Sequence, residues 1–238
     1  KINNGKMRTK ALLTVAAALT AGLLTAQAQV YSVNIVGYVN VTLEEGNNLI
    51  SNPLINGGNT LDEVLPAGSV PGDTTVSKWD FGSQGFAQAD TYFEGAGWLD
   101  GDFNPSATTV APGEGFFINI PEGSPQTVVT LVGDVVPEGE VTQPIQGPGF
   151  GMYANKIPAA TGFNDNGFPV TINDATYQTF DAVGNSYSQA DTYFEGAGWL
   201  DGDFNETNPT PGVGQGFLFF NPGAEAVWTQ DFDPNAGE

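Results

Sequence analysis

Seventeen residues, QADTYFEGAGWLDGDFN, occupy positions 88–104 and recur letter for letter at 189–205, an offset of 101. Identity over that length marks a tandem duplication. It constrains the fold more than any other feature, because the chain must be built from one architecture used twice. Units of about 100 residues bury enough surface to hold a core without covalent staples, and this chain has no cysteine to make one. It also has no histidine, which removes imidazole metal sites and the usual general base of nucleophilic triads.

From residue 31 to 43, apolar residues fall on alternate positions: Tyr31, Val33 and Ile35, then Val39, Val41 and Leu43. This is the period of a strand with one buried face. The run exceeds a typical strand, so two strands are expected, 30–36 and 38–43, with Gly37 as bulge or hinge. Further strands are predicted at 48–54, 74–81, within 90–103, at 115–120 and at 128–132. Thr60, Leu61, Asp62 and Glu63 form a capping-box pattern, which predicts a helical turn or two ending before Pro66. In the second unit, VGDV at 132–135 echoes VGYV at 36–39 as the entry, and strands are expected at 149–157, 175–183, 216–220 and 226–232. Gly and Pro number 32 and 16 of 238 residues, which suits short strands and tight turns. The expectation is an all-β chain of two tandem β-sandwich-like repeats of about 100 residues with short helical turns. Repeat 1 covers 37–133 and repeat 2 covers 134–238, packed against each other, with 29–36 as an N-terminal extension strand.

Residues 1–28 read as an upstream tail and a signal peptide. Arg8 and Lys10 precede an apolar run at 11–24, and Ala26-Gln27-Ala28 supplies a small-x-small cleavage site. The expected destination is secretion, either extracellular or at the cell surface. Four of the six basic residues lie in that segment and none of the 27 acids does. The remainder carries two cations, Lys78 and Lys156, and a formal charge of −25. Such a surface repels nucleic acid and anionic membranes, so neither nucleic-acid binding nor membrane insertion is expected.

The entry (VNIVGYVNVTL, then NLISNPL) and the turn Pro112-Gly113-x-Gly115-Phe116-Phe117 resemble secreted tandem β-repeat surface proteins of environmental bacteria. The resemblance implies the fold and carries no activity. Pro211 to Phe217 reads as the same turn with one inserted residue.

Three candidate sites follow from the repeated stretch and its lead-in. Asp100, Asp102 and Asn104, with Asp201, Asp203 and Asn205, place oxygens at alternate positions of a tight loop, as Ca²⁺ ligands do. The EF-hand pattern itself fails, since its sixth position is Pro105 or Glu206 and its twelfth Ala111 or Gly212; water-facing hairpin acids are the other reading. Tyr92 and Trp98, with Tyr193 and Trp199, are candidates for a sugar-stacking platform, or else for core packing. Val30, Tyr31, Val33 and Ile35 are candidates for subunit contact, as a strand added to a neighbour's sheet edge. Glu94 with Asp100 or Asp102 could pair as in glycoside hydrolysis, but a duplicated pair in one small chain argues against an enzyme. The expected function is that of a secreted, acidic structural protein that self-associates into an extracellular filament or surface layer. The alternative is a carbohydrate-binding or adhesive module, aided by Ca²⁺, with a polysaccharide as its partner.

Overall fold

Alternating apolar residues in β1 (Val36–Leu43) and β8 (Thr127–Asp134) give a two-stranded ribbon, antiparallel from Val36 opposite Asp134 to Leu43 opposite Thr127. Its inward residues Leu43, Val129 and Leu131 are buried against Trp98, Phe116 and Ile118 in one core. Those last three belong to a sheet ordered β2 (Gly46–Ser51), β7 (Gly115–Ile120), β3 (Thr75–Asp80), β5 (Asp90–Phe93), β6 (Gly97–Leu99), with β4 (Gly85–Phe86) paired to β3. Ribbon over sheet makes a sandwich, and each fully buried large side chain contributes about 1.5–3 kcal/mol. The structure is a computed structural model in which residues 36–233 are described. The expected signal peptide and the expected extension-strand residues Val30, Tyr31, Val33 and Ile35 lie outside them.

The rest of the chain is laid out in the same order. A ribbon of β9 (Gly139–Ile145) and β17 (Ala226–Phe232) covers a sheet ordered β10 (Gly149–Tyr153), β16 (Phe217–Asn221), β11 (Thr176–Gln178), β14 (Asp191–Phe194), β15 (Gly198–Leu200). β12 (Phe180–Asp181) and β13 (Ser186–Tyr187) pair as a separate hairpin. The architecture is all-β, and both halves belong to one compact unit.

The two cores are plugged differently. In the first, α1 (Leu61–Val64) inserts Leu61 and Val64. Its start is held by the Glu63 carboxylate, which accepts the Gly58 and Thr60 N–H groups at 2.9 Å each. The hydrogen bond from the Thr60 backbone is the main reason that this carboxyl sits below the ordinary value. In the second half, Pro158, Pro169 and the Asn-Asp-Asn-Gly run at 164–167 favour turns over helix, and Phe163 and Phe168 fill the core instead.

Three local expectations are corrected. β1 runs straight through Gly37, which is neither bulge nor hinge: it sits opposite Gly133. The glycine pair makes room for the chain at Leu54 and Ile55. A Cβ on Gly133 would lie 2.5 Å from the Ile55 carbonyl, and Ile55 exchanges two backbone hydrogen bonds with Asp134, 2.8 and 2.7 Å. The echo between 36–39 and 132–135 is therefore one of partners across a ribbon, not of equivalent entries; the second entry strand is β9. Nor is a residue inserted in the later turn. Gly113, Gly115 and Phe116 fall 101 positions before Gly214, Gly216 and Phe217, and both turns do the same work.

That work is to join the sheets. β2 and β10 are the end strands of their sheets, with edges that need partners. The Ser51 N–H donates to the Gly214 carbonyl at 2.9 Å, and the Ala154 N–H donates to the Gly113 carbonyl at 2.9 Å. Ile50 bridges Gln215, and Tyr153 bridges Glu114. Each half thus lends the turn before its β7 or β16 strand to the other half's open edge. A small apolar cluster of Leu49, Phe117 and Met152 seals the seam.

Candidate functional site

The aromatic residues of the repeated stretch are turned inward. Hairpin register sets Tyr92 opposite Trp98 and Tyr193 opposite Trp199, so each pair faces the same way, toward its core. Tyr92, Trp98 and Trp199 are 3, 1 and 2% exposed, and half-buried Tyr193 packs on the second core. The Trp98 indole N–H donates to the Leu65 carbonyl at 2.9 Å, and the Tyr92 hydroxyl accepts from the Gly68 N–H at 2.9 Å. A stacking platform made of these four rings is thereby corrected: their faces are spent on core contacts. The exposed ring of each copy is one that strand reasoning passes over, Phe103 and its equivalent Phe204, both 73% exposed. Each sits at φ 62°, an unusual conformation for a bulky residue, at the tip of the loop. The signal was a phenylalanine inside an otherwise polar turn.

Those loops close on their own first aspartate. Asp100 Oδ1 accepts the N–H groups of Asp102 and Asn104 at 2.9 Å each, and Asp201 does the same for Asp203 and Asn205. Asp100, Asp102 and Asn104 lie in one such loop, and Asp201, Asp203 and Asn205 in the other. The third residue of each set points its side-chain amide at the first, 3.5 Å in one copy and 3.3 Å in the other. Among the described residues no three acidic, histidine or cysteine side chains gather as a metal-holding group.

The same bonds make the loop pH-sensitive. The Asn205 backbone N–H, then its side-chain amide, hold the Asp201 carboxyl below its ordinary value of 3.8. A depressed folded pKa stabilises the fold above the unfolded value, and that stabilisation is lost as pH falls through the folded one. Asp201→Ala is expected to lower Tm at neutral pH, with the gap from the parent closing in strong acid. Asp191 is raised by burial and then by the Asp201 charge, so it titrates in the opposite sense. An Asp191→Asn background therefore gives the cleanest thermal melts, and a gap that does not change with pH would refute the role given to Asp201.

The seam holds two related clefts. One, of about 380 Å³, is lined by Lys78, Trp79, Phe81, the Pro112–Gly115 turn, Met152, Tyr153 and Lys156. Its counterpart, about 260 Å³, is lined by Leu49, Ile50, Phe180, Ala182, Gly214 and Gln215. At the 101 offset, Trp79 corresponds to Phe180, Phe81 to Ala182, Glu114 to Gln215 and Lys78 to Thr179. The two clefts are thus the same place in each half, and one has acquired charge. Lys78 Nζ bonds the Thr109 carbonyl at 2.7 Å and Glu114 Oε2 at 2.9 Å. Lys156 Nζ bonds the Thr142 carbonyl at 2.7 Å. Beside them lies a groove of about 470 Å³ between Phe86, Phe117, Phe180 and Tyr187. There the rings of Phe117 and Phe180 meet edge to face at 4.9 Å.

The outer faces of the ribbons also differ. On β1 and β8 the outward residues are Val36, Tyr38, Val128 and Val132, with an Asn40–Thr130 hydrogen bond of 2.7 Å between them. Val36 and Tyr38 are 67 and 72% exposed. On β9 and β17 the exposed positions are Glu140, Thr142, Pro144, Val227 and Asp231. Among the described residues, no helix is long and apolar enough to cross a membrane. No family model, no curated protein and no solved structure was found to match this chain.

Proposed function

We propose that the chain is a non-catalytic structural subunit of the cell exterior, whose copies associate through the outer face of the β1–β8 ribbon. The observation that carries this reading is the contrast between the ribbons. Where the second half exposes Glu140, Pro144 and Asp231, the first exposes Val36, Tyr38, Val128 and Val132. Acids and proline on an outer strand deter association, and an exposed apolar patch invites it. In a chain whose residues past 28 carry a formal charge of −25, contact between copies is least costly through a face on which acid is confined to Asp134 at one end, opposite Val36. Residues 29–35, which lead directly into β1, add a strand to the edge of the neighbouring copy. A contact between different surfaces of identical subunits does not close on itself and extends into a filament.

The test is Tyr38→Glu with Val132→Glu, a pair facing each other across the ribbon and pointing away from the core. Circular dichroism should show an unchanged fold, while sedimentation and electron microscopy show association weakened by tenfold or more, roughly 1.4 kcal/mol per decade. Deleting residues 29–35 should have the same effect if the strand is donated. A parent protein that stays monomeric at high concentration, or a double variant that assembles as before, would refute the proposal.

A further inference from the structure

We infer that the larger seam cleft is a binding site for a carboxylate-bearing sugar ring, a hexuronate within an acidic saccharide. The inference stands apart from self-association and uses a different surface. Beyond residue 28 the sequence has two cations and 27 acids, and both cations line this one cleft, one from each half. Chance placement on an acidic surface would pair each lysine with one of the many carboxylates nearby. Lys78 has such a partner in Glu114, but Lys156 has no carboxylate within ion-pair distance among the described residues. Its ammonium is steadied instead by the Thr142 carbonyl at 2.7 Å. A lysine has three N–H donors. One remains on Lys78 after Thr109 and Glu114, and two remain on Lys156.

The local charge selects the ligand. Two ammoniums and one carboxylate leave a net single positive charge, which suits a monoanion better than a phosphate dianion, since Glu114 would repel the second charge. The walls supply the rest of the recognition. Trp79 and Phe81 offer aromatic surface of the kind that covers the apolar face of a pyranose, and Gln146, also in the lining, is suited to hydroxyls. A volume of about 380 Å³ lies at the lower end of small-ligand sites, enough for a sugar ring and too little for a folded partner. The counterpart cleft argues the same point by contrast. With Thr179, Phe180, Ala182 and Gln215 in the equivalent places it has neither the charge nor the second ring, although the backbone joint is the same.

The probe is an oligogalacturonate titrated into the full chain and followed by tryptophan fluorescence. Trp79 lines the cleft, whereas Trp98, Trp199 and Trp228 are buried. The expected result is a saturable change that weakens as salt rises and is not competed by a neutral oligoglucose or by inorganic phosphate. Lys156→Gln breaks no ion pair, so it leaves the fold intact and should weaken binding at least tenfold, while Thr179→Lys, at the position equivalent to Lys78 in the other half, serves as a surface-charge control that does not alter it. Absence of binding at millimolar oligogalacturonate, equal competition by phosphate or by the neutral sugar, or undiminished binding by Lys156→Gln would each overturn the assignment.

Discussion

Phe163→Ala is expected to be the most damaging single substitution outside the strands, at about 3–5 kcal/mol. Phe163 stands in a segment without regular structure, where truncation would ordinarily be harmless. Its ring, however, stacks on Phe168 at 3.7 Å with the planes 3° apart, and meets Tyr177, Phe217, Trp199 and Trp228 at 5.3, 5.5, 5.6 and 5.8 Å. Removing it leaves a void bounded by large planar side chains, which cannot close over it as smaller residues can. Such pairs add about 0.5–1.5 kcal/mol beyond area burial, so the loss lies toward the upper end of the range. Against a total stability of about 5–15 kcal/mol for an ordinary domain, a single such change brings the second half near its threshold. Urea melts should show the midpoint falling with little change in slope. Phe103→Ala, on an exposed ring, serves as a control and should stay within about 0.5 kcal/mol. A Phe163→Ala loss below about 1 kcal/mol would mean that the loop at 158–172 is not a structural part of that core.

The same residue shows where reading the sequence succeeds and where it stops. The strand β1 is legible because its solvated and covered faces write a period of two into its residues, while β7, buried at five of its six positions, and β8 are legible as short apolar runs. The plug of the first core is legible too, since Thr60 and Glu63 mark a helix start and Leu61 and Val64 follow at helical spacing. Phe163 and Phe168 carry no such mark, because a ring reaching inward from a turn has no period. Burial of Tyr92 and Trp98 together was hidden for another reason. Alternation within one strand separates Tyr92 from Phe93, but which of them faces inward is decided by the register with the next strand. Asp100 and Asp201 have the spacing of metal ligands, yet a carboxylate four residues before an asparagine can close its own turn just as well. Lys78 and Lys156 lie far apart in sequence and came together only through the seam, which depends on long-range pairing at the edges of two sheets. The glycines that permit that pairing look like ordinary turn glycines in a list of residues.

Gly115→Ala and Gly216→Ala are accordingly expected to open the seam, each at a cost of about 1–3 kcal/mol. Neither glycine needs the left-handed conformation, so alanine meets no backbone strain at either. It should even gain about 0.4–1 kcal/mol by restricting the unfolded chain. What forbids it is proximity. A Cβ at Gly115 would lie 2.8 Å from the Tyr153 carbonyl oxygen and 3.1 Å from the Tyr153 nitrogen. At Gly216 it would lie 2.8 Å from the Ile50 carbonyl oxygen and 3.0 Å from Leu49 Cδ1. The Tyr153 and Ile50 atoms are main chain of the opposite half's edge strand and cannot swing aside as the Leu49 side chain could. The methyl must therefore push the two halves apart, breaking the bonds from Ser51 to Gly214 or from Ala154 to Gly113. Because each joint can partly support the seam alone, the two losses should not add simply. The double variant should uncouple the halves and turn one cooperative thermal transition into two. Gly85→Ala is the matched control, since its Cβ would find no atom nearer than 3.9 Å, and it should be neutral or mildly stabilising. A double variant that melts in one transition at the parent's temperature would show that the halves are held together by something other than this exchange of edges. If the uncoupled protein kept its fold but lost the fluorescence response to oligogalacturonate, the cleft and the joint would be one device, with the lysine of each half brought into range of the other only by the closed seam.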